Sequence, residues 1–185
     1  MTDFVRRAGT GRLPDGSRII WSLAEGGRGR RWREVRYAGA SVISSLLLEA
    51  DPDGRFLHLE ASTAAGLITL HPEPDATLHG NVVSAERVEP VRGLSWSAEA
   101  IVVLEGSPIS QAAAALRLRR SMPDFSTRSV TGVFIPLTLW LDPKPIPVER
   151  VAPDGWRFQH GEVITFDSDG IPYLPDGETW PLEEG

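Results

Sequence analysis

Three of the four histidines, His58, His71 and His79, fall in three consecutive stretches that alternate polar and apolar side chains. Successive side chains on a strand point to opposite faces. In Phe56-Leu57-His58-Leu59-Glu60, Leu57 and Leu59 then share one face, and His58 and Glu60 the other. Leu67-Ile68-Thr69-Leu70-His71 sets Ile68 and Leu70 against Thr69 and His71. Thr77-Leu78-His79-Gly80-Asn81-Val82 sets Leu78 and Val82 against Thr77, His79 and Asn81. If the three strands form a meander, their polar faces coincide. His58, Glu60, Thr69, His71, Thr77, His79 and Asn81 then occupy one surface.

Three kinds of chemistry fit such a surface. Imidazoles titrate near neutral pH and serve as general acids or bases. Three neutral imidazoles, with Glu60 or Asp75, could hold zinc or iron. The spacings, twelve and seven intervening residues, match no compact ligand motif, so His58, His71 and His79 stand only as an alternative metal set. Third, the face could line the lumen of a barrel or roll and hold a ligand. Against all three stands the ordinary polar face of an antiparallel sheet, which meets water.

A second candidate is Trp32 with Arg36. Trp32 is flanked by Arg31, Arg33 and Arg36, and an aromatic among guanidinium groups suits contact with an anionic headgroup. The other tryptophans, Trp21, Trp96, Trp140, Trp156 and Trp180, read as core residues. Other signatures are missing. No Gly-x-Ser-x-Gly elbow occurs. Gly26-Gly27-Arg28-Gly29-Arg30 precedes no helix and no Lys-Ser/Thr, so it reads as a hairpin tip. Asp167-Ser168-Asp169-Gly170 starts like a calcium loop, but the distal glutamate does not follow, and a turn is expected. The catalytic residues stay unassigned, and no cofactor is expected.

Composition narrows the field. The 185 residues contain no cysteine, which removes disulfides, thiolate metal sites and cysteine nucleophiles. A net charge of −6 argues against sequence-independent binding of nucleic acid. Lys144 is the only lysine among 19 basic residues. No apolar run approaches the roughly 18 residues of a membrane span, and the first residues do not read as a signal peptide. A cytoplasmic location is expected.

Dense turn punctuation must position these residues. Pro14-Asp15-Gly16, Pro52-Asp53-Gly54, Pro153-Asp154-Gly155 and Pro175-Asp176-Gly177 are tight-turn signals. The intervening runs predict strands near 17–23, 31–38, 42–50, 55–61, 66–71, 76–83, 100–105, 130–141, 146–151, 156–160, 162–167 and 171–174. Ser107 caps and Pro108 opens one short helix near 108–119, with Ile109, Ala112, Ala113 and Leu116 in an amphipathic stripe. The expected fold is all-β, mainly antiparallel: a single domain over 1–185, a barrel or β-roll with one short helix. Residues 1–12 and 180–185 are expected to be flexible ends.

In its order the chain resembles a family of bacterial spiral β-roll proteins named for glycolipid binding. The resemblance rests on the arginine-rich strand Arg31-Trp32-Arg33-Glu34-Val35-Arg36-Tyr37, the central Gly106-Ser107-Pro108-Ile109 leading to Leu116-Arg117-Leu118-Arg119, and the closing Val163-Ile164-Thr165-Phe166-Asp167-Ser168-Asp169-Gly170-Ile171. Where the family has Pro-Phe-Thr-Asn, this chain has Pro108-Ile109-Ser110-Gln111. The resemblance implies a β-roll and a lipid or glycolipid ligand. The expected function is therefore binding of an apolar or amphipathic small molecule, with His58, Glu60, Thr69, His71, His79, Asn81, Trp32 and Arg36 as ligand-binding residues. The alternatives are an enzyme using a histidine-lined cavity and a structural or protein-interaction module.

Overall fold

The computed structural model describes residues 5–141 and 143–182. It is mostly antiparallel β with one helix. The first strands are β1 (Arg6–Arg12), β2 (Arg18–Gly26), β3 (Gly29–Ala38), β4 (Ser41–Ala50), β5 (Phe56–Thr63), β6 (Gly66–Pro72), β7 (Thr77–Val83) and β8 (Val88–Ser95). They form a meander in chain order, and the last strand, β15 (Glu178–Pro181), joins it beside β1. The resulting nine-stranded sheet ends on β15 and β8. No closed barrel forms among the described strands.

The stretch Arg6–Arg12, expected as part of a loose end, is instead paired on both sides, to β2 and to β15. Trp180 and Pro181 are likewise paired, opposite Ala8 and Arg7. The remaining end positions of that expectation, 1–4 and 183–185, lie outside the described residues. Strand β8 carries no strand signal because Pro90 and Gly93 interrupt it. A sheet edge tolerates both: Pro90 lacks only an N–H, and Gly93 takes a φ of 70° where the register of β8 slips against β7.

Past the sheet, β9 (Ile101–Leu104) leads to α1 (Pro108–Leu118). The expected strand 130–141 divides into β10 (Ser126–Val130) and β11 (Gly132–Ile135), which belong to different sheets. β11 runs parallel to β9. β10, β12 (Ile146–Arg150), β13 (Gly155–Phe158) and β14 (Val163–Thr165) make a four-stranded antiparallel sheet. The expected strand 171–174 is reduced to one bridge, Phe166 to Pro172.

Strand β9 is buried on both sides, which explains why its four residues are all apolar. Val102 and Leu104 join a core with Trp21, Leu23, Trp32, Leu48, Leu59 and Leu70 of the large sheet. Ile101 and Val103 join a second core with Ile146, Val148, Trp156, Phe158 and Phe166. Helix α1 lies between the same two cores and is rich in alanine. Ala112 and Ala115 are fully buried, and their small side chains permit close approach of the second core, while Ile109 and Leu116 pack on the first. Ser107 is its N-cap, accepting a hydrogen bond from the Ser110 amide at 3.0 Å, and Pro108 follows.

The C-terminal end of α1 is tied to the small sheet by Arg150, a buried residue on β12. Its guanidinium donates to the carbonyls of Met122 (2.6 Å) and Pro153 (3.0 Å), and pairs with Asp124 at 2.7 Å. It also stacks over the Trp156 ring at 5.1 Å. Removing it leaves the carbonyl of buried Met122 without this donor. Arg150→Ala is expected to lower stability by about 3 kcal/mol in urea unfolding. Arg150→Lys should recover only a minor part, because one ammonium nitrogen cannot stand where two Nη atoms reach separate acceptors.

Candidate functional site

The inward face of β3 presents Trp32, Glu34 and Arg36 in succession. Trp32 is 2% exposed and lies in the apolar core, so it is a packing residue with no access to a cavity. Glu34 is 1% exposed. Its Oε2 accepts from Ser107 Oγ at 2.8 Å and from the Ile109 amide at 3.2 Å, so a sheet side chain caps the start of α1. Its Oε1 is buried with no hydrogen-bond partner. Burial pushes the Glu34 carboxyl up to about 7, against the opposing pull of those two hydrogen bonds and of Arg36.

Arg36 emerges at the edge of an open cavity of about 570 Å³. Its guanidinium Nε donates to Ser17 Oγ at 3.0 Å, one Nη to the Asp15 carboxylate, and the other reaches the Gly106 carbonyl at 3.5 Å. Ser17 in turn donates to Asp15 through both Oγ and its amide. The Ser17 hydroxyl, then the Ser17 amide and Arg36, hold the Asp15 carboxyl below its usual range, against partial burial. Gly106 has a φ of 69°, and a Cβ there would stand 2.0 Å from the Arg36 guanidinium. The positive φ favours glycine, and a side chain there would push the Arg36 guanidinium aside.

The other walls are the start of α1 with Pro108 and Gln111, Phe134 of β11, the β13–β14 hairpin from Phe158 to Thr165, and Tyr173 to Pro175. The hairpin tip places Gln159 and His160 at φ 51° and 60°, a left-handed pair closed by the bond from the Gly161 amide to the Phe158 carbonyl. The following segment is clipped to the large sheet. Arg7 pairs with Asp167 and Asp169, Arg30 donates to the Asp169 carbonyl at 2.9 Å, and Arg12 pairs with Asp176 at 3.4 Å. Asp167 Oδ1 accepts from the amides of Asp169 and Ile171, so Asp167-Ser168-Asp169-Gly170 is a turn. A smaller recess, of about 30 Å³ between Ala50, Val102 and Ala114, has room for little more than a water.

The histidine stretches do pair as a meander. Thr69 lies between Glu60 and Asn81, and His71 faces His79. Their shared face is the outer one, because Leu59, Ile68, Leu70 and Leu78 on the opposite side are fully buried. His58 bonds Glu60 at 3.1 Å and His71 bonds Glu73 at 3.0 Å, each a local pair two residues apart. No group of three metal-ligating side chains occurs among the described residues. Leu57 breaks the expected alternation. Glu49 pairs with His58 and Ala50 with Phe56, so Leu57 is an extra residue in a bulge. Phe56 turns inward and Leu57 is 43% exposed.

Of the eight residues singled out in the sequence, only Arg36 lines the cavity. His58, Glu60, Thr69, His71, His79 and Asn81 lie on the far side of the sheet, and Trp32 is sealed between. Sequence reasoning missed Asp15, Gln111, Phe134, Phe158 and Glu34. For Glu34 the signal was present: it shares the strand phase of Trp32 and Arg36.

Glu34 binds its proton more tightly in the folded chain (about 7) than in the unfolded one (ordinary value 4.5). Its contribution to stability is therefore full below pH 4.5 and is lost as pH rises to about 7. Relative to Glu34→Gln, the wild type should lose about 3 kcal/mol across that window in urea unfolding, at 1.36 kcal/mol per pH unit of displacement. Parallel curves for the two proteins would refute it.

Compared with family models, curated proteins and solved structures, the chain matches none of them.

Proposed function

We propose that the protein binds an apolar or amphipathic small molecule, a lipid or glycolipid being the type, in the cavity bounded by Arg36, the start of α1 and the β13–β14 hairpin. The observation that carries the reading is the size and make-up of that cavity. Its volume of about 570 Å³ falls in the range of small-molecule sites. Leu13, Phe134, Phe158, Ile164 and Leu174 offer apolar surface, while Asp15, Arg36, Glu105 and Gln111 gather polar groups at one end. A chain would pack on the former and a head group would meet the latter. On this reading the open sheet, its helix and the smaller sheet act together as a β-roll around a ligand, in a cytoplasmic protein. No helix of the described residues is long and apolar enough to cross a membrane.

Ligands that bind the native state raise its stability, by about 2.7 kcal/mol at a hundredfold excess over Kd. A panel of short-chain alcohols, fatty acids, amines and alkyl glycosides should contain members that raise the Tm by several degrees. Gln111→Trp projects an indole into the cavity from a half-buried helix position and should abolish the shift while leaving the unliganded Tm within a few degrees. A panel that moves the Tm of neither protein sinks the proposal.

A further inference from the structure

Three features of the cavity would ordinarily attract an anion: two arginines and the N-terminus of a helix. Each already has a partner within the chain. Each nitrogen of the Arg36 guanidinium has a partner, in Asp15, Ser17 and the Gly106 carbonyl, and its side chain is only 10% exposed. Arg12 is paired with Asp176. At the helix start Pro108 has no N–H, the Ile109 amide donates to Glu34, and the Ser110 amide donates to Ser107. The donors left to an anionic head group are neutral ones, the side chains of Gln111, Gln159, Thr165 and Tyr173, and no cation faces it without a carboxylate beside it.

The acceptors are in the opposite state. Asp15, Glu105 and Glu162 line the cavity against two cations, Arg12 and Arg36, and all three carboxylates belong to exposed residues. Glu105 gives one oxygen to the Leu137 amide at 2.8 Å, and Glu162 has no salt bridge among the described residues. A head group that brings its own positive charge and its own donors meets this rim without displacing anything.

We infer that the occupant is a cationic amphiphile, an apolar chain or ring system ending in an amine, with its apolar body against Phe134 and Phe158 and its ammonium at the carboxylate rim. The inference rests on the cavity being a binding site and names the class of its ligand.

Decylamine, decanoate and decyl glucoside share a chain and differ in head charge. Their binding, below micellar concentration at pH 7.5 and low salt, is measured by calorimetry and by thermal shift on the full chain. Decylamine should bind at least tenfold more tightly than decanoate, with the gap narrowing as salt is added. Glu162→Lys, at an exposed loop position, should reduce the amine's advantage severalfold and leave decyl glucoside unchanged. Asp15→Asn, which releases the Arg36 charge, should shift preference towards decanoate. Equal or tighter binding of decanoate, or of the glucoside alone, overturns the assignment of a cationic head while the cavity reading stands. Failure of all three ligands to bind, together with an inert panel of other apolar compounds, removes the cavity reading as well.

Discussion

A carboxylate enclosed in an apolar core must be satisfied or neutralised, and Glu34 is held at the one place where donors are plentiful. The start of a helix leaves amides unbonded. By taking the Ile109 amide and the Ser107 hydroxyl, Glu34 fixes the nine-stranded sheet to α1. That contact sets where the helix begins, and so where Pro108 and Gln111 stand. Two residues along the same strand, Arg36 comes out beside Gly106 and closes the polar end of the cavity. Sheet, helix and site share a single short stretch of β3.

The middle layer works because it is built of small or β-branched residues. β9 can face two cores only if every side chain is apolar, and α1 fits between them because Ala112, Ala114 and Ala115 are among its buried positions. Arg150 plays a similar part at the far end, donating from a neighbouring sheet to the carbonyl of the C-cap residue Arg119 at 3.4 Å and to that of Met122 just beyond it. The helix is thus terminated at both ends by side chains distant in sequence, and its length follows from tertiary contacts as much as from Ser107 and Pro108.

The cavity is polar at its rim but internally paired. Its arginines and helix terminus already have partners, and the charge left without an opposite one is a carboxylate's. A reading that counts arginines near an aromatic, as around Trp32, reaches the opposite conclusion, since it cannot see that Arg36 is matched by Asp15 and that Arg31 and Arg33 point outward.

Local rules gave the sequence real reach. Turn residues and alternation located β2 to β7 within a few residues, and the cap and proline located α1, because these depend on neighbours in the chain. The common face of His58, Glu60, Thr69, His71, His79 and Asn81 was legible for the same reason. What faces that surface was not, because a strand pattern is symmetric between a lumen and open solvent. The inward turn of Phe56 depended on a bulge opposite Ala50, a matter of pairing. β1 and β15 carry weak strand signals of their own and exist because the two ends of the chain meet as neighbours in one sheet. The sequence by itself determined the elements and their two faces. Only tertiary structure decided which face was buried, which charges cancelled and where a cavity remained, since each depends on residues brought together from distant parts of the chain.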